Sequence, residues 1–220
     1  MNENLTLFII YSVLLLGVMF IADFAYRFFK VKAETSRKIA HIGSGIVALT
    51  YPDYISNHWV VFALSLSFTL ILFGSKKLNL FPSIFEVDRR SYGELFFVWT
   101  TWILFLIYQY TGEVLYYYLP FSIVVFADPV AALVGQKFPL KKYRLVGNSK
   151  SYGGSLAFFI TAFALSYYFF SKTAVPGDLL VVSFLHALLV TFTEAISTKG
   201  TDNFTIPLVS VLYIYLIMSL

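Results

Sequence analysis

An all-α bundle of about eight membrane-spanning helices, with seven to nine as the range, is what this sequence predicts, and three observations predict it. The chain is 59% apolar and only 13% charged, with a mean hydropathy of +0.77, which would leave a water-soluble domain coated in apolar side chains. Its apolar residues fall into runs close to the ~20 residues that a helix needs to cross a bilayer. Its charges collect between those runs rather than inside them. The 220 residues suit one such bundle and little else, so residues 1–220 are expected to form a single transmembrane domain.

A sliding hydropathy window places the spans near 5–29, 39–56, 58–75, 92–111, 114–135, 153–171, 179–197 and 204–220. The first is longer than the apolar core of a signal peptide and has neither a basic segment before it nor a small-residue cleavage site after it. It reads as a retained span. Within it Asp23 and Arg27 stand four apart and neutralise each other on one helix face. The second is diluted by His41, Gly43, Ser44 and Gly45 and closed by Pro52 and Asp53, and it sets His41, Ser44, Gly45 and Ala48 on one narrow stripe. Between the third and fourth spans, 76–91 mixes Leu78, Leu80, Phe81, Ile84 and Phe85 with polar residues and is expected to lie along the membrane interface. Arg90-Ser91-Tyr92-Gly93 opens the fourth span and Lys150-Ser151-Tyr152-Gly153 the sixth, an echo that predicts two helices starting alike on one face.

With the N-terminus outside, 15 of the 16 Lys and Arg residues fall on the inner side, leaving Lys172 alone outside. The positive-inside rule therefore supports an even number of spans and places both termini outside the cytoplasm. The absence of Cys excludes disulfides, zinc-thiolate sites and thiol nucleophiles. No basic soluble segment is long enough to grip nucleic acid.

The polar motifs share the inner end. Asn148-Ser149-Lys150-Ser151-Tyr152-Gly153-Gly154-Ser155 puts a lysine, hydroxyls and two glycines at a helix start, where free N–H groups and the helix dipole favour an anion. It reads either as a phosphate cradle or as a capped helix start with snorkelling lysines. In the fifth span Asp128 lies about two turns from the inner end, where a carboxylate is costly and therefore functional by default. Ala131, Ala132 and Gly135 continue its stripe, and Pro129 denies a hydrogen bond to the Val125 carbonyl. His186, Val190 and Glu194 recur at intervals of four along the seventh span. His186, deep and alone, reads as a packing residue. Asp202 serves equally well as the N-cap of the last helix or as a ligand. Arg37 and Lys38, with His41 one turn deeper, suit a polyanion or anionic headgroups. Together Asp128, Glu194 and Asp202 can hold a divalent cation such as Mg²⁺ through oxygen, while Lys150, Arg37 and Lys38 balance phosphates. No GxSxG elbow, His/Cys cluster or dinucleotide fingerprint competes with this reading.

The sequence resembles the CTP-dependent polyprenol kinases, which include dolichol kinase, phytol kinase and CTP-dependent diacylglycerol kinase, and is distantly similar to phosphatidate cytidylyltransferases. Four segments carry the likeness: Arg37-Lys38 with His41 and Gly43; Arg90-Ser91-Tyr92-Gly93-Glu94; Asp128, Ala131 and Gly135 continuing to Lys150-Ser151, Gly154 and Ser155; and Glu194 followed by Gly200, Asp202, Asn203 and Pro207. Two positions depart from the family pattern, Ala127 before the aspartate and Gly153 before the second glycine.

The resemblance implies a multi-pass kinase whose active site faces the cytoplasm. It would move the γ-phosphoryl of CTP, with a divalent ion, to a long-chain lipid alcohol, dolichol or another polyprenol first and phytol or geranylgeraniol next. It implies catalytic roles for Asp128, Lys150 and Glu194. Nucleotide contacts are implied from Arg37, Lys38, His41, Lys150, Ser151, Gly153, Gly154, Ser155 and Asn203. Metal contacts are implied from Asp128, Glu194 and Asp202. A diacylglycerol kinase, a cytidylyltransferase and, outside enzymes, a lipid-phosphate or anion transporter are the rival expectations.

Overall fold

The computed structural model describes residues 2–78, 92–138, 140–146 and 149–219. The expected interfacial segment beyond Leu78, with Arg90, Ser91 and Asn148, lies outside the described residues. The helices are α1 Glu3–Phe29, α2 Ala33–Leu49, the single turn α3 Tyr51–Tyr54, α4 His58–Leu78 and α5 Gly93–Thr111. A compound rod follows, made of α6 Leu115–Ser122, a π-helical turn Ile123–Ala127 and α7 Asp128–Lys137. Then come α8 Tyr152–Ser171, α9 Leu179–Ile196 and α10 Asp202–Met218. Counting the compound rod once and leaving out α3, eight long helices account for the eight expected spans among the described residues. Five of them are long and apolar enough to cross a bilayer by length and composition alone, and α10 is apolar but shorter.

Local chemistry sets the helix ends. Asn2, Ser151 and Asp178 accept backbone N–H bonds as N-caps of α1, α8 and α9. Gly112, at φ 75°, ends α5 in the left-handed conformation that glycine adopts without steric cost. The second helix departs from the expected 39–56. It begins at Ala33 and stops at Leu49, so Arg37 and Lys38 lie inside it rather than before it. Hydropathy detects apolarity and not helicity, and Ala-Glu-Thr-Ser-Arg-Lys forms helix in the polar zone, with Glu34 in the favoured first turn.

The apolar exterior matches lipid as solvent: Val13, Phe20, Ile21 and Phe28 of α1 are each more than 60% exposed. The compound rod is instead central, with Tyr117, Leu119, Phe121, Ile123 and Val125 fully buried. The main core surrounds it, and a smaller cluster of Leu15, Met19, Phe68 and Leu72 joins α1 to α4. Glycines let α2 wedge between these two regions. A Cβ on Gly43 would sit 2.7 Å from Val18, and one on Gly45 2.5 Å from Val125. Asp23 pairs with Arg27 at 2.5 Å, as their spacing predicts. His186 is a packing residue, bonded to Ser166 of α8 and Ser210 of α10.

Candidate active site

A short hairpin and a loop bring the predicted segments together. Lys142 and Tyr143 pair antiparallel with Ser151 and Lys150, and the Tyr143 hydroxyl lies 2.6 Å from that of Ser155. The chain between α9 and α10 turns through left-handed Lys199 and Gly200 and docks on the start of α5. There Tyr92 N–H donates to the Lys199 carbonyl, and the Asn203 amide donates to the Gly93 carbonyl at 2.8 Å. The start of α2, α5 and α8, the end of α9, the start of α10 and the length of α7 thus frame one cavity of about 1060 Å³.

Its mouth is charged. Lys32, Arg37, Lys38, Lys142, Lys150 and Lys199 line it together with Glu34, Glu94, Asp128, Glu194 and Asp202. Deeper, the lining turns apolar, running past Met19, Phe68, Leu72 and Phe97 to Ala48 and Tyr51. From Lys38 to Ala48, ten residues of α2 measure about 15 Å at 1.5 Å per residue. One cavity therefore has a polyanion-sized polar end and an apolar shaft reaching roughly half the ~30 Å hydrocarbon depth.

Lys150 Nζ forms an ion pair with Glu194 Oε1, on side chains 20% and 5% exposed. The other carboxylate oxygen, Oε2, is buried without a partner among the described residues. Burial on its own depresses the Lys150 ammonium, but the carboxylates of Glu194, Asp202 and Asp128 outweigh it and hold the group above its ordinary value. The Asp128 carboxylate has no hydrogen bond or ion pair among the described residues, yet its charge reaches Lys38, His41, Lys150, Glu194 and Asp202. The π turn before it decides what surrounds it. In i→i−5 bonding the donor due at the Val124 carbonyl is Pro129, which has no N–H. His41 Nε2 fills that place at 3.1 Å, donating to Val124 O. The unfilled acceptor met by a side chain is thus Val124 rather than the expected Val125.

Several site residues already carry structural work. Arg37 bridges Glu34 at 3.1 Å and Glu94 at 3.4 Å, tying α2 to α5. Ser151 caps α8 through Gly154 N–H. Gly153 and Gly154 allow close packing: a Cβ on Gly153 would meet the Phe138 carbonyl at 2.1 Å, and one on Gly154 the Ala131 carbonyl at 2.9 Å. Asp202 is the first residue of α10, with Thr201 in the N-cap position and no side-chain cap, so Asp202 does not act as the cap. It lines the cavity instead. Asp128, Glu194 and Asp202 share the cavity, but among the described residues no three acidic or His side chains converge tightly enough to form a ready cation site. Glu94 and Lys142 are site residues that the sequence reading assigned no role. The first already stood in the Arg90-to-Glu94 segment and the second among the inner basic residues.

Comparison with known proteins finds phytol kinases among those similar to this chain. The chain is 31% identical to the phytol kinase of Synechocystis sp., over 89% of this chain and 84% of that protein. It is 28% identical to a probable phytol kinase 3, chloroplastic, of Glycine max, over 81% of this chain and 61% of that protein. No family model and no solved structure matches the chain.

Proposed function

The chain belongs to the family of phytol kinases and related CTP-dependent polyprenol kinases, and from that premise we propose that it transfers the γ-phosphoryl of CTP to the hydroxyl of a membrane isoprenoid alcohol, giving the alkyl phosphate and CDP. The observation that carries this reading is the single cavity that joins a charged mouth to an apolar shaft. A lipid alcohol fits it tail inward, with its hydroxyl where the two linings meet. Both relatives are named for phytol, so a diterpenoid alcohol is the first acceptor to test, ahead of the dolichol-type polyprenols.

Asp128 is the deepest lining residue of α7, and its carboxylate is unengaged among the described residues. It takes the proton of the alcohol as general base while the oxygen attacks the γ-phosphorus and the bond to the CDP oxygen breaks. Phosphoryl transfer asks mainly for positioning and charge neutralisation. Lys150, held by Glu194, and Lys38 supply positive charge to the phosphates, with Arg37 fixed at the rim by Glu34 and Glu94. With Asp128 as base, Asp202 and the Glu194 Oε2 that has no partner among the described residues would offer hard oxygen donors of the kind a divalent ion such as Mg²⁺ takes, and such an ion would supply further neutralisation when bound. The mouth faces the cytoplasm, where CTP and the inner basic residues are.

Purified Asp128→Asn and Lys150→Ala, assayed for phosphate transfer from CTP to a solubilised isoprenoid alcohol, are expected to lose activity. Wild-type rates in folded protein contradict this site.

A further inference from the structure

Given the kinase reading above, we propose that Ala48 and Tyr51 form a rigid floor to the apolar shaft and set the longest alcohol chain the enzyme accepts. The deep end of the cavity is lined by Ala48, Tyr51, Leu64 and Thr101, each 5% exposed or less. Three contacts immobilise it. The Tyr51 ring packs edge-on against Tyr11, with centroids 4.8 Å apart. Thr50 Oγ1 gives its proton to the Val47 carbonyl at 2.8 Å, so the Tyr11 hydroxyl, 2.9 Å from Thr50 Oγ1, donates to it. The Tyr117 hydroxyl donates to the Ala48 carbonyl at 2.7 Å. The Tyr51 ring, the Tyr11 hydroxyl and the Ala48 carbonyl are thus each held by a neighbour, which limits the rotamers through which the floor could yield.

The shaft walls are different. Leu15, Met19 and Leu72 are unbranched at Cβ and carry no hydrogen bonds, and Phe68 offers a broad face, so they adjust to a saturated or an unsaturated chain alike. An adaptable wall over a fixed floor discriminates length rather than saturation. A shorter chain leaves part of the shaft unfilled and forfeits contacts, while a longer one meets Tyr51.

The test is the profile of kcat/KM against chain length, using geraniol, farnesol, geranylgeraniol, longer polyprenols and, for saturation, phytol. Wild type is expected to show an optimum with a loss of about tenfold or more one isoprene unit beyond it, and similar values for phytol and geranylgeraniol. Tyr51→Ala moves the optimum at least one unit longer, and Ala48→Leu moves it at least one unit shorter, with the KM for CTP unchanged. The two variants act in opposite directions, so either one alone keeps the test decisive if the other fails to fold. Transfer with no upper length limit, or an optimum unmoved in folded variants, overturns the floor while leaving the kinase intact. No transfer to any alcohol overturns the kinase reading and the floor with it.

Discussion

His186 and Glu194 lie on one stripe of α9, two turns apart and both buried, and they end in opposite circumstances. At His186 every valence is closed. Ser166 Oγ donates to the Ala162 carbonyl at 2.6 Å, so His186 Nδ1–H donates to Ser166, and Nε2 accepts from the Ser210 hydroxyl. At Glu194 one oxygen is held by Lys150 and the other has no partner among the described residues. A closed polar knot binds three helices together. A buried oxygen left without a partner costs the fold about 1–3 kcal/mol, and the one at Glu194 belongs to a residue that lines the charged cavity. In a membrane bundle, burial alone therefore does not separate a packing residue from a candidate site residue, whereas an open valence on the cavity wall is where the substitutions below look for function.

That contrast can be broken by substitution. The largest effect is expected at Asp128, the other open carboxylate: Asp128→Asn lowers the transfer rate about 10²–10⁴-fold without moving the thermal unfolding midpoint in detergent. Next is Lys150→Met, which strands Glu194 and destabilises the fold by about 3 kcal/mol. Adding Glu194→Gln recovers most of that stability but none of the transfer, as unfolding and kinase assays on the same samples would reveal. His186→Leu is expected to cost about 1–3 kcal/mol through the stranded serines while leaving the KM for CTP unmoved. Activity lost there with stability intact would erase the distinction between the two regions.

The smallest effect concerns pH. Because the fold raises Lys150, its ammonium stabilises the protein fully below the unfolded lysine pKa of about 10.4, and that stability is lost only as pH climbs through the raised folded value. Lys150 should therefore stay charged between about pH 7 and 9, and a titration of its ammonium within that range, followed by NMR of the labelled lysine, contradicts this.

Residues whose partners are near in sequence were readable from it. Asp23 meets Arg27 four residues away. His186 read as packing from its depth alone, while its partners Ser166 and Ser210, on other helices, left no sign beside it in the sequence. The eight rods follow from apolar run length, apart from α2, whose polar first turns are helical without being apolar. Partners distant in sequence were not readable. Nothing local says that Arg37 reaches Glu94 of α5, or that Asn203 spends its amide on the Gly93 carbonyl. The glycines at 153 and 154 were ambiguous for the same reason, since close approach to a phosphate and to another backbone place the same demand on the residue. Only the fold sets the Phe138 and Ala131 carbonyls where a Cβ would stand. The π turn explains the one-residue displacement from Val125 to Val124, because hydrogen-bond register inside a continuous helix leaves no mark in hydropathy.

The claim that this cavity is a lipid-alcohol kinase site is tested most directly by the nucleotide products. Purified protein in micelles with CTP and phytol is expected to release one CDP for each phytyl phosphate formed, and neither product without the alcohol. Pyrophosphate appearing together with a CMP-bearing lipid, or CDP released at the same rate with no alcohol present, contradicts it.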